Sequence, residues 1–426
     1  MQVRSESNSH QRMKQDNRAH VLRLLQEQPH MTRVKLAELT GLTKQTVTNI
    51  IQELLTQQLV AEEASKGAAG VGRPPVYLRF RREKLTAAGI QVTPSYIRGI
   101  LLDLDATVLY ETQTELEPEM MEREDGGSQV VSRIRSTIHT LLSRLPADSC
   151  FMGAGIGLQG IIDGSGGRVK FSRYLKLFDY PLKELFSKEF PFIICVDNLV
   201  RAFAAGEIWR KRHQAWRHVL CVYADQAVGG AILIDGKLYT GNDWQAGKFG
   251  HTKVVRNGRA CRCGKKGCVE AHISIPVLLS LAGGHYRDFD EMLHHLNEEA
   301  KSELFEEAGR HLGFAIGNAV NLLNPECIIV GGELTKARSW LEQPMLDEMR
   351  QTVSIPNDRT PLYISDYDQN NGGIGAASLV FHQWLLDPVH ISAEDAKAWL
   401  TRSRLNGIGD HDAPSFDEHL PGGGAN

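Results

Sequence analysis

What this chain has little of narrows its class first. Seven cysteines in 426 residues are too few for a disulfide-stapled secreted scaffold. Four of them, Cys150, Cys195, Cys221 and Cys327, stand singly in apolar surroundings, as reduced thiols do. No apolar run reaches the ~18 residues of a membrane span, and the opening MQVRSESNSHQRMKQDNR lacks the hydrophobic stretch of a secretory signal. The expected setting is therefore cytoplasmic, with no membrane partner. A hydrophobic content of 42% and a charged content of 23% suit a chain that buries real cores, and 426 residues predict two or three domains.

The net charge of −3 is unevenly spread. The first 82 residues carry 13 Lys and Arg against 7 Asp and Glu, a surplus of six positive charges, so the remainder is nine negative. A basic small module joined to an acidic large one is a layout of DNA readers fused to effector domains; a solvated basic face is the plainer alternative.

The cysteines that do cluster are the most informative. His251, Cys261, Cys263 and Cys268 follow the pattern His-x9-Cys-x-Cys-x4-Cys, with Gly264 and Gly267 positioned to turn the backbone tightly. Three thiolates and one imidazole suit a tetrahedral Zn2+, and four protein ligands leave no open position, which predicts a structural zinc loop. The alternative is a group of buried thiols beside a satisfied histidine.

The first 82 residues predict three helices and a hairpin. Val21, Leu24 and Leu25 mark the first helix. Thr32 caps a second with Val34, Leu36 and Leu39 apolar, and Gly41 ends it. Thr43 caps a third, whose Val47, Ile50, Ile51, Leu54 and Leu55 form one apolar stripe. Lys44, Gln45, Thr46, Thr48 and Asn49 are its candidate DNA contacts, with Gln52 beyond them. Gln and Asn suit adenine, and Lys44 suits guanine or a phosphate. Val76 to Phe80 reads as an arm of a wing whose tip, Gly72-Arg73-Pro74-Pro75, places Arg73 for a minor groove. The pattern is a winged helix-turn-helix; a helical unit for protein contacts is the alternative.

From about Leu85 strands alternate with helices, which predicts an α/β fold, and two such sets in succession predict two lobes with a cleft between them. Strands are expected at 88–92, 99–104, 153–158, 219–223, 230–234 and 327–330, the first two paired with a turn at Asp105-Ala106. Helices are expected at about 129–145 and 312–323. The segment after Leu386 predicts a short helix at 393–405 and then a Gly/Pro/Asp-rich end, expected to be disordered. No internal repeat is visible.

The strings VGGAILIDGKLYTGNDWQAGKFGHTKVV, CRCGKKGCVEAH and NAVNLLNPECIIVGGEL resemble the ROK family of repressors, open reading frames and kinases, from about Gly89 to Phe381. The resemblance implies a winged helix-turn-helix in 1–82, a two-lobed actin/hexokinase-like domain in 83–385 and a tail in 386–426. It also implies a homodimer or tetramer, and a sugar cleft beside the zinc loop with Asn198, Lys248, His251 and Glu270 as candidate ligand contacts. The family's kinase residues are altered in this chain. Gln91 stands where an acid precedes the phosphate-binding glycines, which are missing. Leu199 occupies the general-base position, with Asp197 two residues before it. The glycine string is reduced to Asp225-Gln226-Ala227-Val228-Gly229-Gly230. Lys248 replaces a sugar-binding carboxylate, and Tyr174 an asparagine. No catalytic residue is therefore expected. The expected function is a DNA-binding regulator, a repressor of carbohydrate genes, sensing a sugar or sugar phosphate on a double-stranded operator. The alternatives are an active sugar kinase carrying a DNA module, and a regulator controlled by a partner protein.

Overall fold

The computed structural model describes residues 3–28, 31–64, 75–283, 285–354, 359–366, 368–386 and 391–405. Its N-terminal module has α1 (Val3–Glu27), α2 (Arg33–Thr40), α3 (Lys44–Thr56), β1 (Val60–Ala64) and β2 (Val76–Phe80). Thr32 accepts from Lys35 N at 3.2 Å and Thr43 from Thr46 N at 3.1 Å, so each satisfies an orphan donor of the helix it starts. Gly41, at φ 69°, ends α2 in the left-handed region. The stripe on α3 is buried at Val47, Ile50, Ile51 and Leu54 and half-buried at Leu55. Of the apolar residues of α2, Leu36 is buried, whereas Val34 and Leu39 are 53% and 41% exposed. Positions 34 and 36 point about 200° apart on a helix, so an eight-residue helix packed on one side cannot bury both. Strands β1 and β2 pair antiparallel, Val60 opposite Phe80. The residues between them, Arg73 included, lie outside the described residues.

The first lobe contains β3 (Leu85–Val92), β4 (Tyr96–Asp103), β5 (Val108–Glu115), α4 (Pro118–Glu122), α5 (Gly126–Ser143), β6 (Cys150–Leu158), β7 (Ile161–Asp163), β8 (Arg168–Ser172), β9 (Leu177–Tyr180), α6 (Leu182–Glu189) and β10 (Ile193–Asn198). Its main sheet runs β10-β6-β3-β4-β5. The turn at Asp105-Ala106 joins β4 to β5, a strand the sequence did not reveal; β3 turns into β4 at 93–95. β5 alternates half-buried with exposed residues and is the polar edge of its sheet, so it has no apolar periodicity to read.

After α7 (Leu199–Arg210), the second lobe contains β11 (Val219–Ala224), β12 (Val228–Ile234), β13 (Lys237–Leu238), α8 (Glu270–Ile273), α9 (Ile275–Leu281), α10 (Phe289–His295), α11 (Glu298–Leu323), β14 (Cys327–Gly331), α12 (Arg338–Thr352) and β15 (Leu362–Ile364). Its sheet runs β13-β12-β11-β14-β15. In both sheets the central strand is extended on one side by two successive antiparallel pairings and on the other by two successive parallel pairings. The lobes therefore repeat one topology although the sequence shows no repeat.

The chain then returns to the first lobe as α13 (Asn371–Leu386), β16 (Ile391–Ser392) and α14 (Ala393–Leu405). Residues 391–405, expected as part of a tail, belong to that lobe: Ile391 pairs with Phe151, Ala396 is buried, and Trp399 packs on Phe190 at 5.1 Å. The expected disordered end, 406–426, lies outside the described residues. Helix α13 is rich in small residues because backbones press on it. A Cβ on Gly375 would lie 2.4 Å from Ala202 O, and the facing strands are equally close, a Cβ on Gly89 lying 1.9 Å from Gly373 O. Its far end carries Phe381, Trp384 and Leu385 into the same buried cluster as Leu22, Ile51 and Phe80 of the N-terminal module. The Phe80 and Trp384 rings stack 6.2 Å apart. One apolar core thus spans both units.

Candidate functional site

The outer face of α3 presents Lys44, Gln45, Thr48 and Asn49, all exposed, with Thr46 half-buried. The hydroxyls are committed to the helix. Thr43 and Thr46 hydroxyls contact at 2.9 Å, and Thr48 Oγ1 donates to Lys44 O at 2.8 Å. The two amides are joined, Gln45 Nε2 donating to Asn49 Oδ1 at 2.9 Å.

The cysteine loop brings His251, Cys261, Cys263 and Cys268 together, with one ligand atom from each lying within 4.8 Å of all the others. Cys261 Sγ is 3.8 Å from His251 Nδ1, and Cys263 Sγ is 3.8 Å from Cys268 Sγ. A regular tetrahedron of ~2.3 Å zinc–sulfur bonds has edges of about 3.8 Å, so this donor set fits a metal ion of that size. Gly264 (φ 83°) and Gly267 (φ 77°) make the turns, and a Cβ on Gly267 would meet Val255 O at 1.7 Å. Burial pushes the Cys261 thiol up to about 12. For Cys263 burial also acts upward, but the Lys265 N–H and the neighbouring thiols outweigh it and hold the thiol below its ordinary value. A metal would have to displace those protons, which makes loading pH-dependent.

The remaining candidate ligand contacts are Asn198, Lys248 and Glu270, of which Glu270 lies against this loop. Asn198, the N-cap of α7, spends its amide internally: Oδ1 accepts from Val200 N at 2.9 Å and Nδ2 donates to Gly160 O at 2.8 Å. Glu270 Oε2 accepts from Val228 N at 3.0 Å, and Oε1 lies 3.7 Å from Cys261 Sγ. Arg201, which sequence reasoning missed, is the centre of this region. It is 4% exposed, and donates to Asp197 Oδ1 (2.7 Å from Nε), to Ile162 O at 2.7 Å and to Trp244 O at 3.2 Å. A lone charge within the apolar run LVRAFAAG was the available signal. The Lys248 ammonium makes no ion pair or hydrogen bond among the described residues, its backbone carbonyl accepting from His251 N at 3.0 Å. Burial and then the Arg201 charge lower its pKa, and Glu270 opposes them.

A shallow, polar crevice lies between the lobes, lined by Gln91, Tyr96, Tyr223, Asp225, Asp368 and Asn371. Gln91 is 3% exposed and donates to Tyr96 Oη at 3.2 Å, while its Oε1 has no partner among the described residues. Burial pushes the Asp225 carboxyl up, against the Gln226 N–H and the Tyr223 hydroxyl that accompany it. Leu199 opens α7 as a buried side chain. Asp197 is held by Arg201 and by Asn198 N; burial raises its pKa and Arg201 draws it back. Tyr174 is 48% exposed on the loop after β8.

Comparison with known proteins accords with this architecture. The ROK family profile matches residues 87–383 and a MarR family profile matches residues 15–69. The xylose repressor of Bacillus subtilis (strain 168) is 27% identical over 381 residues, covering 88% of this chain and 97% of the relative. The DNA-binding transcriptional dual regulator NagC of Escherichia coli (strain K12) is 27% identical over 386 residues, covering 86% and 93%. Among solved structures, a ROK family transcriptional regulator homologous to the E. coli MLC protein superposes with a TM-score of 0.72 at 22% identity, over 92% of this chain and all of that one. A ROK family glucokinase from Streptomyces griseus, in complex with glucose and AMPPNP, superposes with a TM-score of 0.57 at 22% identity, over 70% and 99%. With a MarR-type winged helix at its front and the two-lobed actin/hexokinase-like body behind it, the chain belongs to the ROK family.

Proposed function

We propose that the chain is a sugar-responsive transcriptional repressor acting on a double-stranded DNA operator, in which residues 1–82 read DNA and 83–385 sense the effector. The observation that carries this reading is the single apolar core joining α3 and β2 to α13. The N-terminus of α13 lines the interlobe cleft and its C-terminus supports the DNA-facing module. A ligand that prefers one lobe arrangement shifts the population of both states, and α13 carries that shift to the reader. Operation as a homodimer or tetramer places two readers on two half-sites. Relatives named as a xylose repressor and as the DNA-binding transcriptional dual regulator NagC support the assignment.

The body does not act as a kinase in this reading. Leu199 has no carboxylate to accept a sugar proton, Asp197 is spent on Arg201, and Asp225 places a carboxyl group where phosphates would need N–H donors. His251, Cys261, Cys263 and Cys268 would hold a structural zinc that cross-links the loop leading to Glu270. Lys248, whose ammonium has no partner among the described residues, is the group suited to a sugar phosphate, while Asn198 and Glu270 shape the wall through their backbone bonds.

The test is gel retardation of a duplex pool by the full-length protein, repeated at rising salt and with a panel of neutral and phosphorylated sugars. The expected result is retention of a sequence subset, weakened steeply by salt and released by at least one sugar. Equal retention of all sequences, or release by none, would overturn the repressor or the sensor half respectively. Release by an added protein fraction and by no sugar would favour control by a partner.

A further inference from the structure

Five polar side chains on α3 were candidates for reading bases, and their internal bonds reduce the number free to do so. Thr46 is tied to the Thr43 cap, and Thr48 donates its hydroxyl to Lys44 O. The bond from Gln45 to Asn49 is between exposed groups, so no burial forces it. It leaves Gln45 Oε1 as an outward acceptor and Asn49 Nδ2 as an outward donor. Rotating both amides by 180° exchanges these atoms but still leaves one donor and one acceptor.

That pairing selects one base. Adenine offers an N6 donor beside an N7 acceptor in the major groove, guanine offers two acceptors, cytosine a donor alone, and thymine an acceptor beside a methyl. Thr48 adds a second element. With its hydroxyl turned back to the helix, its γ-methyl is the apolar part left at the surface, and the thymine methyl is the apolar group the major groove offers. We infer that Gln45 and Asn49 act as one composite reader of a single adenine, and that the Thr48 methyl reads a neighbouring thymine. This rests on the repressor reading above. It differs from two amides each reading its own base, because one bond holds both to the same base edge.

The experiment selects a tight duplex with the full-length protein from a random-centre library, then alters single atoms of the selected duplex. Replacing one adenine by purine removes N6, and replacing it by 7-deazaadenine removes N7. Each is expected to weaken binding at the same position, within the roughly 5- to 150-fold range of a bidentate contact. Gln45→Ala, Asn49→Ala and the double variant are expected to lose about the same affinity, and all three to become insensitive to both adenine analogues. Deoxyuridine in place of the neighbouring thymine is expected to weaken the wild type and Thr48→Val but not Thr48→Ser, which keeps the hydroxyl and lacks the methyl. Additive losses mapping to two base pairs would overturn the composite reader. So would a selected site at which no adenine analogue matters. Uracil sensitivity surviving in Thr48→Ser would overturn the thymine contact. Failure to bind any duplex would instead overturn the repressor assignment on which the inference stands.

Discussion

The cysteine loop and the crevice between the lobes are built differently. On the cysteine side, four ligand atoms converge within 4.8 Å, and Glu270 is fixed to β12 through Val228 N. At the crevice between the lobes, Gln91 and Asp225 line a shallow polar space, and Leu199 opens α7 as a buried apolar side chain. Cross-linking a loop serves any protein of this shape, whereas gripping a triphosphate serves only a phosphoryl transferase. A body that changes lobe arrangement to move a DNA reader needs the first and not the second. Under the proposed function, the difference between the two regions is a change of use within a shared fold.

The comparison can be broken most forcefully at the metal. Elemental analysis is expected to find about one zinc per wild-type chain and almost none in Cys268→Ser. Structural zinc sites bind with free energies on the order of 10 kcal/mol, so the loop around 242–268 should become the first point of proteolysis in the variant. An equally resistant, metal-free wild type would remove the contrast. Next in size is Trp384→Ala, which empties a fully buried site shared by α13 and the N-terminal module. A loss of about 3–5 kcal/mol is expected, and calorimetry should show the module melting separately from the body. A single undiminished transition would mean that α13 does not couple them.

A smaller effect sharpens the account of the cysteine side. His272, on α8, is buried with neither ring nitrogen partnered among the described residues, and burial lowers it to about 4. The folded chain then keeps it neutral while the unfolded chain takes up a proton near 6.5. Stability is full above about pH 6.5 and falls as the pH drops towards 4. His272→Phe should remove up to roughly 3 kcal/mol of that decline, measured as the wild-type minus variant difference across the window. A difference that does not change with pH would refute the cause. The smallest expected effect is none: Leu199→Asp should yield no ATP turnover with glucose, because Gln91 and Asp225 still oppose the phosphates. Turnover above background would show that the two sides differ by one residue only.

Much of this was readable before the structure, for identifiable reasons. Thr32, Gly41 and Thr43 are local signals whose mechanism needs only three or four neighbouring residues. The cysteine loop is likewise local, since eighteen positions hold its whole donor set. What stayed hidden depends on distant partners. Arg201 shows in the sequence as a lone charge in an apolar run, but its partners Ile162 and Trp244 come from distant segments. Phe80 and Trp384 are some three hundred residues apart in the chain, and no periodicity predicts that they stack. Edge strand β5 carries no apolar rhythm, and α2 shows apolar residues on a face that packing leaves open.

The most direct test is fluorescence anisotropy of a labelled, selected duplex held by the full-length protein, titrated with sugars and sugar phosphates in the complete absence of ATP. A repurposed kinase body predicts that one such ligand releases the duplex with no phosphoryl donor present. Release that requires ATP, accompanied by product formation, would contradict it.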